Sequence, residues 1–305
     1  METLGFILSA GTQSRFSSDV PKSMVDFMGK PLLEWNINTM LRFCERIYVA
    51  ISKGDKHKYD SVRKDSRVVY VEIEPGGGCG NAVKQLLDHI VYDTYDLGIL
   101  KWGDTIHINP ELYRRTLEST FQWQIHIPVI KEKNPYTSLV KDENGKWTCL
   151  FSKYNEIEEE YGLHDQSLFF FNITYLKRCM KNWEENEESM VKKWMHGQEF
   201  QFLDIINAAE CNVFEVDEYM RAESFNTVEE YEELIEKYKT DKFVNTARFL
   251  ITYSDKHVEE KCIRVYSTID TLCDRFFVED INVEKVVFTG FVNDEPNHYV
   301  MENKD

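Results

Sequence analysis

The 305-residue chain lacks long apolar runs and an apolar leader. No stretch approaches the ~20 consecutive apolar residues that span a bilayer. The N-terminus has no basic segment followed by a cleavable apolar one, which is the pattern of a secretory signal. We therefore expect no membrane association and a cytoplasmic location.

Paired cysteines are also absent. The seven cysteines are odd in number, lie scattered along the chain, and include no pair with CxxC spacing. This pattern argues against a zinc site or a disulfide framework and favours a reducing compartment.

Basic residues are scarce relative to acidic ones. The chain has 36 Lys and Arg against 53 Asp and Glu, for a net charge of −17. Such a charge opposes non-specific binding to nucleic acid or to an anionic membrane. We expect no nucleic-acid partner, and any local group of cations becomes more informative.

What the sequence does contain is an alternation of apolar, β-branched runs with amphipathic segments. The runs are 4–8, 47–51, 68–73, 97–100 and 125–130, and helical spacing appears at 33–41 and 82–90. Strands that alternate with helices predict an α/β protein whose mixed, mostly parallel sheet is covered on both faces. Ligands of such sheets bind at the carboxyl ends of the strands.

The second half of the chain predicts further elements. A hairpin is expected over 138–153, a buried strand leading into a helix over 167–176, and a helix over 227–239 capped by Thr227 or Asn226. Residues 254–275 predict a helix and 283–292 a strand. We place the catalytic domain at 1–240 and a small C-terminal extension at 241–305, whose apolar residues predict packing on the core or on a second subunit.

The stretch "LSAGTQSRFSSDVPKSM" (8–24) follows the first predicted strand and holds a glycine and two cations. A plain strand-to-helix turn would need the glycine for its backbone. An anion-binding loop would also need the cations, with backbone N–H groups around a phosphate. The position of Arg15 and Lys22 after the first strand favours the anion-binding interpretation.

Six segments, in chain order, resemble the sugar nucleotidyltransferases, also called nucleoside-diphosphate-sugar pyrophosphorylases. The N-terminal motifs are similar to those of the N-acetylglucosamine-1-phosphate uridyltransferases. The segments are "GTQSRFSSDVPKSMVDFMGKPLLEW" (11–35), "EPGGGCGNAV" (74–83), "LKWGDT" (100–105), Lys153 after the hairpin, "GQEFQFLDIINAA" (197–209) and "FNTVEEYEEL" (225–234). Each segment alone is a weak signal, but the shared order is hard to produce by chance.

The resemblance implies a three-layer, Rossmann-like nucleotidyltransferase core. It implies a pyrophosphorylase-type transferase that joins a nucleoside triphosphate, with a pyrimidine favoured, to a phosphorylated acceptor, most often a sugar 1-phosphate. Pyrophosphate would be the second product, Mg²⁺ the cofactor, and nucleotide-sugar biosynthesis the setting. Such a displacement needs charge neutralisation and alignment of two polyanions rather than a covalent intermediate.

The resemblance also implies roles for individual residues. The catalytic residues would be Arg15, Lys22 and Lys153, with Lys153 meeting the acceptor phosphate. The metal would be held by Asp104 and Asn226, whose oxygens suit Mg²⁺. The expected nucleotide-binding residues are Leu8, Ala10, Gly11, Thr12, Gln13, Ser14, Arg15, Lys22, Gly76, Gly77, Gly78, Asn81, Gly103 and Asp104.

Other functions remain open at this stage. A cytidylyltransferase acting on a non-sugar phosphomonoester would keep the fold and change the acceptor. A glycosyltransferase that uses a nucleotide-sugar would share the core but is expected to carry an Asp-x-Asp motif, whereas Thr105 and Ile106 follow Asp104. An inactive nucleotide-binding regulator is a further alternative, and the sequence permits a homo-oligomer.

We predict that Arg15→Ala and Lys22→Ala each weaken triphosphate binding by roughly ten- to a hundredfold, because a hydrogen bond to a charged group contributes about 1.5–3 kcal/mol. Titration calorimetry with each triphosphate measures the effect, and circular dichroism checks that both variants fold. Unchanged affinity in both folded variants would contradict the assignment.

Overall fold

The computed structural model describes residues 2–11, 20–27, 29–62, 64–90, 97–106, 111–118, 124–157, 159–217, 220–240, 246–264, 276, 282–291 and 299–302. In chain order, the strands are β1 (Thr3–Leu8), β2 (Asp26–Phe27), β3 (Lys30–Pro31), β4 (Arg46–Ser52), β5 (Val68–Ile73), β6 (Leu97–Trp102), β7 (Thr105–Ile106), β8 (Ile125–Lys133), β9 (Thr137–Lys141), β10 (Trp147–Phe151), β11 (Tyr161–Asp165), β12 (Leu168–Asn172), β13 (Cys211–Glu215), β14 (Glu223–Ser224), β15 (Thr246–Tyr253), β16 (Val258–Arg264), β17 (Val283–Phe291) and β18 (Tyr299–Glu302).

The α-helices are α1 (Leu32–Met40), α2 (Gly78–Asp88), α3 (Glu111–Glu118), α4 (Ile173–Glu185), α5 (Glu187–Met195) and α6 (Val228–Thr240). Short 3₁₀ helices cover Lys22–Met24, Lys56–Tyr59 and Phe202–Ala208. Among the described residues, no helix is both long and apolar enough to cross a membrane.

The main sheet is mixed, as the alternation of strands and helices predicts. Its strand order is β10-β9-β11-β8-β12-β6-β1-β4-β5, with β13 beside β8. The half formed by β6, β1, β4 and β5 is entirely parallel. The other half contains the hairpin β9–β10 with β8, β11, β12 and β13, and its pairings are antiparallel except that of β13 with β8. The carboxyl ends of the parallel strands therefore open at one edge, where ligands of such sheets bind.

Helices cover both faces of this sheet. Successive side chains of a strand point to opposite faces, so Phe6 packs with α2 and α4, while Ile7 packs with α1 and α3. Both side chains are fully buried. The three-layer α/β architecture expected from the sequence is confirmed.

The C-terminal extension forms a separate antiparallel sheet with the order β16-β15-β17-β18. Its apolar residues pack together, and the rings of Phe249 and Phe276 lie 5.0 Å apart. The strand expected at 283–292 is confirmed by β17. The division of the chain near residue 240, and the packing of the extension on a core or partner, stay predictions.

The helix expected at 254–275 is wrong where the structure describes that range. Residues 254–257 form a turn, in which Lys256 has a φ of 67°, and β16 then returns antiparallel to β15 over seven paired positions. The deciding interaction is this inter-strand pairing, which local periodicity does not reveal. Residues 265–275 lie outside the described residues.

Lys101, near the end of β6, is a lysine inside the core. Its neighbours across the sheet are Ile7 and Leu168, both fully buried, and the exposed fraction of Lys101 is 0%. Its Nζ has no hydrogen-bond partner within the described part of the chain. Burial lowers the pKa of the Lys101 amine well below its ordinary value, and the charge of Asp104 offsets only part of this effect.

We predict that Lys101→Met stabilises the fold by about 1–3 kcal/mol, because it replaces an unpartnered buried amine by an apolar side chain of similar length. In the unfolded chain the Lys101 amine is protonated below pH about 10.4. In the folded protein the same amine stays neutral down to a lower pH, because its pKa is lowered by burial. Wild-type stability relative to the variant therefore falls as pH drops from about 10 toward 7. Urea unfolding at several pH values measures the difference.

Lys131→Met is the matched control, because Lys131 is exposed on β8. This control variant should change stability by less than about 0.5 kcal/mol. A Lys101→Met variant that is less stable than the wild type at neutral pH would show that the amine has a favourable partner.

Candidate active site

A cleft of about 300 Å³ opens at the carboxyl edge of the parallel half-sheet. The strands β6, β1 and β5 end at its wall, and α2 begins there. Its lining residues are Leu8, Ser9, Ala10, Gly11, Lys22, Ser23, Ile73, Glu74, Pro75, Gly76, Gly78, Cys79, Ala82, Trp102, Asp104 and Glu199.

Many of the residues expected to bind nucleotide line this one cleft. They come from the first loop, the glycine loop and the end of β6, and they are Leu8, Ala10, Gly11, Lys22, Gly76, Gly78 and Asp104. Gly77, Asn81 and Gly103 lie next to lining residues in the chain. The predicted residues Thr12, Gln13, Ser14 and Arg15 fall outside the described residues.

Lys22 and Asp104 form an ion pair across the cleft. The Lys22 Nζ donates to Asp104 Oδ2 at 2.9 Å, and lies 5.0 Å from the centre of the Phe225 ring. The Lys22 side chain is 11% exposed, and that of Asp104 is 38% exposed. The Lys22 ammonium therefore lies on an aromatic face beside the half-exposed Asp104 carboxylate. An ammonium group can bind a phosphate, and a carboxylate can bind a metal ion.

A buried hydroxyl cluster holds the segment that carries Lys22. The Ser9 and Ser23 hydroxyls are hydrogen bonded to each other, and Tyr59 donates from its hydroxyl to the Ser9 carbonyl at 2.9 Å. Burial raises the pKa of Tyr59, which keeps it a donor. Ser23 and Tyr59 were not predicted, because contacts across 14 and 50 positions leave no local pattern.

The turn that carries Asp104 is fixed from two sides. Gly103 donates its N–H to the Leu8 carbonyl at 2.8 Å, and a Cβ on Gly103 would stand 2.7 Å from that oxygen. Only glycine permits this approach. The Asn36 amide, fully buried in α1, donates to the Gly103 and Thr105 carbonyls at 3.1 and 3.2 Å. Asn36 was not predicted, since it looks like an ordinary helix residue.

The glycine loop before α2 has left-handed backbone at Gly76, Gly77 and Gly78, with φ of 91°, 75° and 86°. Phe200 pairs with it, donating its N–H to the Gly77 carbonyl and accepting from the Gly80 N–H, both at 2.8 Å. A Cβ on Gly78 would lie 2.4 Å from the Phe200 carbonyl oxygen. The loop is therefore a rigid wall of the cleft. Asn81 supports it by donating from its amide to the Gly76 carbonyl at 3.2 Å.

Asn226 follows the short strand β14, which pairs with β7 so that Ser224 lies opposite Thr105. This pairing brings the chain just before Asn226 beside the chain just after Asp104. The Thr227 hydroxyl accepts from the Glu230 N–H at 3.2 Å, so Thr227 caps α6 as one of the two expected alternatives. Asn226 is exposed, and its side chain is not needed for that cap.

Lys153 does not line the cleft. Its side chain is exposed, and its Nζ lies 4.9 Å from the centre of the Tyr154 ring. The other side of this region is buried: Tyr154 stacks on His196 with centroids 4.2 Å apart, and His196 Nδ1 lies 3.3 Å from Asp204 Oδ2. Burial raises the pKa of Asp204, and the His196 charge opposes that rise.

The far wall of the cleft comes from the segment between α5 and the last 3₁₀ helix. Glu199 lines the cleft, and its carboxylate accepts from the Gln201 amide at 2.9 Å. Cys79, on the facing helix, accepts the Phe202 N–H at 3.1 Å, and burial raises the pKa of its thiol to about 11. The resemblance pointed to this segment, but not to Glu199 or Cys79 as wall residues.

The described residues fit a weakly held metal ion and not a dedicated cage. No group of three or more His, Cys, Asp or Glu side chains within them is placed to hold a metal. Asp104 offers one carboxylate, and Asn226 could add an amide oxygen. Such a donor set suits Mg²⁺, which keeps several waters and is bound chiefly through substrate phosphates.

Curated relatives match about half of the chain. The Bifunctional protein GlmU of Neisseria meningitidis serogroup C is 33% identical over 146 residues, which is 47% of this chain and 31% of the relative. That of Buchnera aphidicola is 26% identical over 156 residues, 51% of this chain and 29% of the relative. The 2-C-methyl-D-erythritol 4-phosphate cytidylyltransferase of Thermosipho africanus is 27% identical over 145 residues, which is 46% of this chain and 63% of the relative. The match spans less than two thirds of each relative.

Solved structures share the fold. HddC from Yersinia pseudotuberculosis superposes with a TM-score of 0.56 at 19% identity, covering 78% of this chain and all of that one. The inositol-1-phosphate CTP transferase from T. maritima superposes with a TM-score of 0.58 at 16% identity, and the match covers 78% of this chain and 97% of that one.

The family model of the MobA-like NTP transferase domain matches residues 5–190, well over half of the chain. This range contains the first loop, the glycine loop and Asp104, and so most of the cleft. The resemblance found in the sequence is confirmed: the chain belongs to the MobA-like NTP transferase domain family.

Proposed function

We propose that the chain is a nucleotidyltransferase of the pyrophosphorylase type. It transfers a nucleotidyl group from a nucleoside triphosphate, with a pyrimidine favoured, to the phosphate of a phosphorylated acceptor such as a sugar 1-phosphate. The observation that carries this proposal is the Lys22–Asp104 pair, which stands at 2.9 Å in the same cleft as the glycine loop. A cation for phosphates, a carboxylate for a metal and a rigid backbone wall for a nucleoside thus share one site.

The reaction needs no covalent intermediate on the protein. An oxygen of the acceptor phosphate attacks the α-phosphorus, a new P–O bond forms, and the bond from the α-phosphorus to the oxygen bridging to the β-phosphorus breaks. Pyrophosphate leaves with that electron pair. Since the nucleophile is already an anion, the protein has to align two polyanions and neutralise their charge.

Lys22 would supply a fixed positive charge to the triphosphate. Its ammonium is held over Phe225 and beside Asp104, so little reorganisation is needed when the phosphates enter. Asp104, with Asn226, would hold Mg²⁺, which would neutralise charge on the phosphates when bound. Arg15 would add a second cation to the same loop.

Two of the similar proteins are named for phosphorylated polyols. The Thermosipho africanus relative is named for a phosphorylated erythritol and the T. maritima neighbour for inositol 1-phosphate. A non-sugar phosphomonoester is therefore the second candidate acceptor. Lys153, which is exposed and outside the cleft wall, would have to move toward the cleft to meet the acceptor phosphate.

The proposal is tested by incubating the protein with Mg²⁺, each of the four nucleoside triphosphates, and a panel of sugar 1-phosphates and polyol phosphates. We expect pyrophosphate release that requires both a triphosphate and a phosphorylated acceptor. The matching unphosphorylated sugars and polyols serve as controls, because they lack the anionic nucleophile. Release that is independent of the acceptor, or absent with every pair, would contradict the proposal.

We predict that Asp104→Asn lowers Mg²⁺-dependent turnover by roughly a hundredfold, as expected for loss of a charge that stabilises the transition state. The half-exposed position of Asp104 limits the effect on unfolding free energy to about 1 kcal/mol. Turnover and thermal unfolding are measured on the same preparation.

Asn226→Asp is the companion variant, since it retains an oxygen ligand and should keep most of the activity. A fully active Asp104→Asn protein would rule out this metal site. An Asp104→Asn protein that loses stability as severely as activity would assign Asp104 a role in folding instead.

A further inference from the structure

Glu74 lies at the opposite end of the cleft from the Lys22–Asp104 pair. It directly follows β5, while Asp104 follows β6, and both residues line the cleft. The strand order β6-β1-β4-β5 separates them by three strand spacings, about 14 Å. This separation is comparable with the extent of a nucleotide from its phosphates to its base. With the phosphates at Lys22, the base would therefore reach the end of β5.

The backbone N–H and carbonyl of Glu74 each have a hydrogen-bond partner. Its N–H donates to Gln85 Oε1 at 2.9 Å, and its carbonyl accepts from Gln85 Nε2 at 3.3 Å. Gln85 belongs to α2, so this double contact fixes the end of β5 on the helix that starts at the glycine loop. With both backbone polar groups occupied, the side chain is the part of Glu74 left to contact a ligand.

Glu74 lines the cleft, and its carboxylate is paired with a cation. Its Oε1 accepts from Lys53, which directly follows the neighbouring strand β4 and is not among the lining residues of the cleft. The carboxylate is 67% exposed, so a bound base would find it accessible. A carboxylate that pairs with an ammonium group, as here with Lys53, accepts hydrogen bonds and has none to donate.

We propose that Glu74 contacts the base of the nucleotide and selects cytosine above uracil through the exocyclic amino group of cytosine. This inference rests on the proposed function, because it assumes that the cleft binds a nucleoside triphosphate. The N4 amino group of cytosine donates to the carboxylate. Uracil presents the O4 carbonyl at the same position, and two acceptors that face each other repel.

The test compares the Kd of CTP and UTP in the presence of Mg²⁺ by titration calorimetry, with the full chain and no acceptor. CTP and UTP differ only in the edge that Glu74 would contact. We expect CTP to bind roughly tenfold more tightly than UTP, as a charge-assisted hydrogen bond at an exposed site allows. Glu74→Gln should bring the ratio of the two Kd values close to one, because an amide can donate or accept.

Glu72→Gln is the matched control. Glu72 lies two residues earlier on β5, is exposed, and accepts from the Gly54 N–H at 2.8 Å. The Glu72→Gln variant removes the same charge near Lys53 without changing the cleft wall, so it should leave the ratio of the CTP and UTP Kd values unchanged. The ratio is the readout because loss of either carboxylate can alter the affinity for every triphosphate equally.

The outcomes separate this inference from the proposed function. If CTP and UTP bind the wild type equally, or if Glu74→Gln retains the wild-type ratio, the base-reading role of Glu74 is overturned while nucleotide binding stands. A preference for UTP, or binding of purine triphosphates alone, also overturns it. If no triphosphate binds, the proposed function itself is overturned, and this inference with it.

Discussion

The ion pair between Lys22 and Asp104 joins the two segments on which the candidate site depends. Lys22 belongs to the chain that follows β1, and Asp104 to the turn that follows β6. Their contact at 2.9 Å requires the close approach of those two strand ends, which the Gly103 N–H to Leu8 carbonyl bond provides. Loss of that approach would separate Lys22 from Asp104, the two groups that we propose to hold the phosphates and the metal.

Much of the remaining structure serves to hold this edge of the sheet. Asn36 fixes the Gly103 turn from α1, and Tyr59 fixes Ser9 from the 3₁₀ helix that follows β4. Phe225 supports the Lys22 ammonium from the segment that pairs with β7. Three separate parts of the chain thus converge on one edge, where backbone groups at strand ends are free of the sheet ladder. A rigid edge suits a reaction governed by the alignment of charges.

Charged residues of the cleft wall follow two different strands of the parallel half-sheet. Lys22 and Asp104 form an ion pair near the end of β6, and small residues such as Ala10 and Ala82 also line the cleft. Glu74, whose backbone is held by Gln85, lines the cleft after β5. Under the proposed function, the two ends of the cleft would hold the phosphates and the base of one nucleotide, and the strand order of the parallel half-sheet sets the distance between them.

The sequence by itself determined the α/β class, the parallel strands, the hairpin, and the loops that carry Lys22, Gly76 and Asp104. These features depend on local periodicity and on glycine positions, which adjacent residues reveal. Tertiary structure alone decided that residues 258–264 form the strand β16, through pairing with β15, and it alone decided the contacts of Asn36, Tyr59 and Glu74. Their contacts lie far apart in the chain or depend on which side chain faces the cleft. Local sequence does not encode such contacts, since the free energy that selects them comes from burial and hydrogen bonding in the folded chain.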